Sequence, residues 1–226
     1  MKRREKDRIE RFDKLQKHST NIIKTFLDVG CGEGYSLLEA YNRGWIIYGQ
    51  DIYDHRNEEI KKINNHFIKA ELFDASFPDN FFDIVYLDSV LEHVQNPLEY
   101  LLEIKRIMKV GSILYVGVPN EDSLLNVYRK FFFKLSGKKT ISEKLMPFKT
   151  PYHIGGFNSY SLDYIVEKVK LRVIIKKNFA CHLEFLKYPL LSVGFYTTLS
   201  FLPIYLLAAL IKKEVYFELY LEKNSN

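Results

Sequence analysis

The fold of this chain is decided by the stretch Phe26-Leu27-Asp28-Val29-Gly30-Cys31-Gly32-Glu33-Gly34-Tyr35. A short apolar run ends in three glycines at alternate positions, and a helical stretch over residues 36–43 follows. Glycine has no Cβ, so the backbone can turn sharply there and a ligand can approach it closely. The stretch therefore predicts a β-strand, a ligand-binding turn and the start of a helix.

The same alternation of apolar runs and helical stretches continues on the C-terminal side of this turn. The further runs and helices are residues 45–49, 57–64, 66–68, 82–87, 97–108, 113–118, 161–170, 173–180 and 214–221. Uninterrupted apolar strands that alternate with helices are typical of a parallel sheet covered on both faces. The predicted fold class is α/β.

Composition excludes several classes of protein. With 226 residues, 47% hydrophobic and 27% charged, the chain is globular rather than disordered or collagen-like. Cys31 and Cys181 are too far apart for a disulfide framework or a cysteine-cluster zinc site. The net charge of +5 is too small to indicate nucleic acid by itself, and we expect no nucleic-acid partner. The first residues are too charged for a secretory signal, so a cytoplasmic location is expected.

The chain divides into a short helix and one domain. Residues 1–24 predict a solvated, weakly amphipathic N-terminal helix, and residues 25–222 form the domain. Residues 121–150 interrupt the alternation with an aromatic and basic stretch that predicts an inserted cap.

A carboxylate at the second strand indicates a nucleoside ligand. Asp51 closes that strand, where a carboxylate can accept two hydrogen bonds from a ribose diol. The fingerprint of dinucleotide-binding proteins needs a third glycine where this chain has Tyr35. An NAD-dependent dehydrogenase is therefore disfavoured.

Four motifs in a fixed order resemble a known family, the class I S-adenosylmethionine-dependent methyltransferases. The glycine loop, Asp28 to Gly34, is similar to the first motif of that family. The later motifs are residues 77–85 with 90–94, residues 107–112 and residues 118–120. The resemblance covers about residues 25–120 closely and 150–222 loosely, and its pattern is similar to the ubiquinone-type and the lipid- or glycan-modifying small-molecule methyltransferases. It implies a Rossmann-like doubly wound, mostly parallel seven-stranded sheet whose last strand is antiparallel.

The resemblance also assigns roles around the cofactor S-adenosylmethionine. Gly30, Gly32 and Gly34 would pass the backbone under the methionine part, and Asp28 would orient that loop or meet the cofactor's ammonium group. Two residues at the end of the fourth strand would face the sulfonium: Leu87 and Asp88.

The adenosine part of the cofactor would meet the next two strand ends. Asp51 would hold the ribose, and Ile52 would lie against the adenine. After the third strand, Phe73 would contact the ring and Asp74 would meet the exocyclic amine.

Two histidines are the candidate catalytic residues. His93 follows the fourth strand near the expected mouth of the site, and His153 lies in a segment that returns to the site in related proteins. Either could act as a general base, and either could instead pack or anchor its loop locally. With Asp88 and Glu92, His93 could form a small divalent-metal site, but this pattern is too weak to predict a metal.

The segment of residues 188–211 carries no charge and lies between lysines. It is long enough to span a bilayer, but Pro203 interrupts it and a single crossing would separate the last strand from its sheet. The favoured interpretation is two short helical pieces that lie on a membrane surface without spanning it. A cap buried on the domain, a dimer contact and a spanning helix are the alternatives, and the oligomeric state is left open.

These observations lead to one functional hypothesis and one alternative. The first is methyl transfer from S-adenosylmethionine to an oxygen, less so a carbon or nitrogen, of an apolar or lipid-linked small molecule. The enzyme would be peripheral on the inner face of the membrane. The alternative is a catalytically degenerate, membrane-associated scaffold that binds the cofactor.

Overall fold

The computed structural model describes residues 3–19, 24–63, 66–135, 153–179, 189–190 and 192–225. Parts of three predicted segments lie outside these ranges: residues 1, 2 and 20–23 of the N-terminal helix, residues 136–150 of the cap, and residues 188 and 191 of the apolar segment.

The centre of the fold is a seven-stranded sheet. Its strands are β1 (Thr25–Val29), β2 (Ile46–Asp51), β3 (His66–Lys69), β4 (Phe82–Asp88), β5 (Met108–Pro119), β6 (Arg172–Phe179) and β7 (Tyr216–Glu222). They lie in the order β3-β2-β1-β4-β5-β7-β6, and β7 runs antiparallel to both of its neighbours. The predicted doubly wound, mostly parallel sheet with an antiparallel last strand is confirmed.

Helices cover both faces of this sheet. They are α1 (Arg3–His18), α2 (Tyr35–Asn42), α3 (Glu58–Lys62), α4 (Pro97–Ile107), α5 (Leu124–Leu135), α6 (Ser159–Val169), α7 (Val193–Leu199) and α8 (Leu202–Leu210). A 3-10 turn, Leu91–His93, follows β4. Consecutive side chains of a strand point to opposite faces, so β1 supplies Phe26 to one core and Leu27 to the other.

The start of α4 shows why the sequence places a helix there. The Asn96 side chain accepts a hydrogen bond from the backbone N–H of Glu99, and Pro97 occupies the first turn, where its missing N–H costs nothing. Leu101, Ile104 and Ile107 recur at helical spacing and are buried against the sheet.

The N-terminal helix is part of this core, which differs from the solvated helix that the sequence predicted. Phe12 and Leu15 are completely buried, and the Phe12 ring packs 5.6 Å from Trp45 and 5.4 Å from Phe26. Phe12 and Leu15 hold this strongly charged helix against the sheet because both belong to a buried cluster rich in aromatic rings.

The apolar segment forms the two short helices α7 and α8, and Pro203 lies in the first turn of α8. This confirms the predicted helical insertion before the last strand. Among the residues that the structure describes, no helix has the length and apolarity needed to cross a membrane.

Candidate active site

A cavity of about 820 Å³ lies at the carboxyl ends of the central strands. Its walls include Gly30 after β1, Asp51 at the end of β2, and Ser89 after β4. Strands β2 and β4 flank β1 on opposite sides, so this is the point where the winding of the sheet reverses. Doubly wound sheets bind their ligands at this switch point, and the volume suits a ligand of cofactor size.

Half of the predicted cofactor residues line this cavity: Gly30, Asp51, Ile52, Phe73 and Asp74. The other half lie outside its lining: Asp28, Gly32, Gly34, Leu87 and Asp88. The first group could touch a ligand directly, whereas ligand contact by the second group stays a prediction.

The glycine loop has a backbone that only glycine adopts easily. Gly30, Gly32 and Gly34 have φ values of 68°, 50° and 82°, in the left-handed region. A Cβ at Gly30 would come within 2.5 Å of the Val90 Cγ2 atom, so a side chain at this position would collide with the loop after β4. No side chain of these three glycines covers the loop backbone, so a ligand in the cavity can approach it closely.

Asp51 joins this loop to the end of β2. Its Oδ2 accepts a hydrogen bond of 2.8 Å from the backbone N–H of Gly32, and its Oδ1 accepts one of 3.2 Å from the N–H of Tyr53. Each carboxylate oxygen can accept a second hydrogen bond. Asp51 can thus hold the loop and still bind a diol in the cavity.

Two exposed apolar side chains lie on the same wall. Ile52 is 46% exposed and Phe73 is 53% exposed, although residues of this kind are normally buried. The Phe73 ring is set edge-on against Tyr100, with ring centroids 6.0 Å apart. This side of the cavity suits a flat apolar ring, and Asp74 adds a hydrogen-bond acceptor beside it.

Asp28 lies beneath the glycine loop. It is only 4% exposed, and burial raises the pKa of its carboxyl well above the ordinary value. The negative charges of Asp88 and Asp51 raise it further, while a hydrogen bond with Ser36 opposes the shift. This placement suits support of the loop, and contact with a ligand ammonium stays a prediction.

Asp88 is already held by protein groups that the sequence did not indicate. Its carboxylate accepts hydrogen bonds from Arg11 Nη1 at 3.0 Å, from the Tyr216 hydroxyl at 2.7 Å and from the Tyr86 hydroxyl at 3.2 Å. Leu87 belongs to the buried core. The facing of these two residues toward a sulfonium stays a prediction. No local motif could have revealed Arg11 and Tyr216, because they come from opposite ends of the chain.

The structure brings the two candidate histidines together. The His93 and His153 rings lie edge to face with their centroids 4.8 Å apart, and His93 lines the cavity. The backbone N–H groups of Ile154 and Gly155 both donate to the Glu92 carbonyl, at 2.9 and 3.0 Å, which holds the two segments together. Burial lowers the pKa of His153, and the charge of His93 lowers it further.

Comparison with known proteins agrees with this site. Residues 27–116 match the family model described as a methyltransferase domain. This part of the chain is a methyltransferase domain, and its fold is that of S-adenosylmethionine-dependent methyltransferases. The cofactor of this class fits the observed cavity, because the domain offers a bare glycine loop, a carboxylate at the end of β2 and an apolar wall. Gly30, Asp51, Ile52 and Phe73 would hold it.

Sequence relatives match less than half of this chain and less than half of their own length. An uncharacterized methyltransferase of Schizosaccharomyces pombe is 36% identical over 43% of this chain and 40% of its own. A ubiquinone biosynthesis O-methyltransferase of Saccharophagus degradans is 32% identical over 44% of this chain and 45% of its own. The chain thus spans less than half the length of these curated relatives.

Solved structures extend the likeness of the fold beyond the matched region. A SAM-dependent methyltransferase from Archaeoglobus fulgidus superposes with a TM-score of 0.60 at 21% identity, covering 97% of this chain and 94% of that one. Phosphoethanolamine N-methyltransferase 2 of Haemonchus contortus, in complex with S-adenosyl-L-methionine, gives a TM-score of 0.65 at 14% identity, covering 96% and 53%. At these identities the likeness shows the fold alone.

Proposed function

We propose that this protein transfers a methyl group from S-adenosylmethionine to an oxygen atom of an apolar or lipid-linked small molecule. The observation that carries the proposal is the single cavity wall that joins Gly30 and Asp51 to His93. A cofactor-binding end and an end with proton-accepting side chains then share one space, as methyl transfer to a hydroxyl requires.

Different residues of the chain would bind the cofactor and assist removal of the acceptor proton. When bound, the cofactor would supply a methyl group on a sulfonium, and S-adenosylhomocysteine would be the leaving group. Asp51 would hold the ribose, the glycine loop would pass under the methionine part, and the apolar faces of Ile52 and Phe73 would exclude water from the adenine. His93 lines the cavity and His153 lies beside it, so imidazole nitrogens are present at the acceptor end, where a hydroxyl must lose its proton.

An oxygen acceptor is favoured over nitrogen by the relatives and by the histidines. Two of the curated relatives that match are named ubiquinone biosynthesis O-methyltransferases, at 32% and 28% identity. A hydroxyl must lose its proton during transfer, whereas a neutral amine attacks through its lone pair and loses its proton afterwards. Paired histidines at the cavity are therefore better suited to the hydroxyl.

The test of this proposal is transfer of radiolabelled methyl from S-adenosylmethionine to a lipid or small-molecule extract. We expect label in an apolar product whose mass has increased by one methylene group. Label in no product, with S-adenosylhomocysteine still bound, would favour the alternative of a degenerate cofactor-binding scaffold. Label in an aqueous product would exclude the apolar acceptor while keeping the methyltransferase.

Exposed apolar side chains on α7, α8 and the adjoining turns support an acceptor that resides in a membrane. The most exposed are Val193 at 84%, Leu210 at 80% and Leu190 at 79%. Lys212 and Lys213 follow directly and are also exposed. Apolar side chains beside cations suit the interface of an anionic bilayer, with the helices lying in its plane.

We expect the full-length protein to sediment with vesicles that contain an anionic phospholipid. The double substitution Val193→Asp with Leu210→Asp should lower the bound fraction at least about tenfold, because each buried leucine or valine contributes about 1.5–3 kcal/mol. The matched control is Val110→Asp, which changes a valine that is 60% exposed in strand β5. Equal sedimentation of the wild type and the double variant would remove the membrane proposal.

A further inference from the structure

Three potential metal ligands meet where the 3-10 turn after β4 faces the segment 153–156. Glu92, His93 and His153 each offer one ligand atom, and these atoms lie within 4.8 Å of one another. The two backbone hydrogen bonds to the Glu92 carbonyl fix the distance between the segments. The sequence had grouped Glu92 and His93 with Asp88, but Asp88 is bound to Arg11 and two tyrosine hydroxyls.

The Glu92 carboxylate lacks a hydrogen-bond partner on one side. The residue is only 2% exposed, and its Oε2 atom has no hydrogen-bond partner among the residues that the structure describes. A buried carboxylate oxygen left unpaired is costly, so native proteins pair such groups or coordinate them to a cation. The unpaired Glu92 oxygen therefore indicates a positively charged ligand beside the two histidines.

We propose that Glu92, His93 and His153 bind one divalent metal ion, and that this ion is zinc. Two imidazole nitrogens and one carboxylate oxygen form a ligand set that zinc uses at sites with an open fourth position. Magnesium and calcium take oxygen ligands instead, so the two histidines select against them. Ligand atoms around tetrahedral zinc are about 3.4 Å apart, a contraction that small rotations of the side chains supply.

The position of this cluster suggests what the ion would do, and this step rests on the proposed function. His93 and the neighbouring Ile154 line the cavity, so an open coordination position would face the acceptor. An acceptor oxygen bound there would lose its proton to water more readily. The new carbon–oxygen bond would then form as the sulfur–carbon bond breaks.

The experiment uses the untagged full-length protein, freed of metal by a chelator. Titration with zinc chloride should show about one tight site per chain, and cobalt(II) should give the visible absorption of a four-coordinate site. Glu92→Gln, His93→Gln and His153→Gln should each weaken zinc binding at least about tenfold. The matched control His66→Gln, which changes an exposed histidine of β3, should leave binding unchanged.

Binding of S-adenosylhomocysteine by the same samples separates this inference from the proposed function. Absence of a stoichiometric zinc site, tighter binding of magnesium than of zinc, or full binding by His153→Gln would overturn the metal site. If Glu92→Gln does not fold, His153→Gln decides alone, because His153 lies on a partly exposed loop. If zinc binds as expected but S-adenosylhomocysteine does not, the metal site stands and the methyltransferase proposal fails.

Discussion

Replacement of Asp51 by alanine is expected to weaken the binding of S-adenosylhomocysteine at least about 100-fold, measured by calorimetry. The substitution removes a carboxylate that can accept hydrogen bonds from a ribose diol, and hydrogen bonds to charged groups contribute about 1.5–3 kcal/mol each. It also releases the backbone N–H of Gly32, now held at 2.8 Å, so the glycine loop loses its side-chain hydrogen bond to β2 and keeps only the two backbone bonds to the Gln50 carbonyl. Both effects act on the same ligand.

A matched carboxylate nearby provides the control for this prediction. Glu59 is exposed on α3 and does not line the cavity, so Glu59→Ala should bind S-adenosylhomocysteine like the wild type. Circular dichroism would show that both variants keep the fold. An affinity of Asp51→Ala within about threefold of the wild type would contradict the assignment of the ribose site, because one hydrogen bond to a charged group exceeds that margin.

The order of strands and helices up to β5 could be predicted from the sequence because each signal is local. The glycine loop places three glycines at positive φ between β1 and α2, and Asp51 follows the apolar run of the next strand. Parallel strands bring such loops to one edge of the sheet without further information. The placement of Gly30 and Asp51 at the cavity therefore follows from local patterns, whereas the expectation for Ile52 and Phe73 came from the family resemblance.

The remaining part of the site depends on contacts between distant segments. Nothing in the local pattern around His93 indicates that His153 lies beside it, since that contact is made by backbone hydrogen bonds from a loop far along the chain. The burial of Phe12 was likewise not predictable, because its helix is mostly charged. Whether a short apolar stripe on a helix is buried depends on the surface that it packs against, and for Phe12 that surface is the ring of Trp45.

The same N-terminal helix carries the most buried ion pair of the structure's described residues. Arg11 Nε donates to Glu218 Oε1 at 2.6 Å, and its Nη1 donates to Asp88 Oδ2 at 3.0 Å. The Glu218 side chain is 1% exposed and the Arg11 side chain 14%. Burial acts against the charged guanidinium, but the surrounding tyrosines and carboxylates raise the net pKa of Arg11, so it stays charged at every accessible pH.

Replacement of Arg11 by methionine is expected to lower the free energy of unfolding by about 3 kcal/mol, because it leaves the Asp88 and Glu218 carboxylates without the cation that both bind. Lys177, 2.8 Å from Glu218, compensates only one of them. Urea unfolding can be followed by the fluorescence of Trp45, the single tryptophan, which packs on α1 through Phe12.

Lys14→Met is the control on the same helix: it breaks an exposed pair with Glu10 and should cost at most about 0.5 kcal/mol. Addition of Glu218→Gln to Arg11→Met should restore part of the loss, whereas equal losses in Arg11→Met and Lys14→Met would show that the buried charges do not determine the docking of α1.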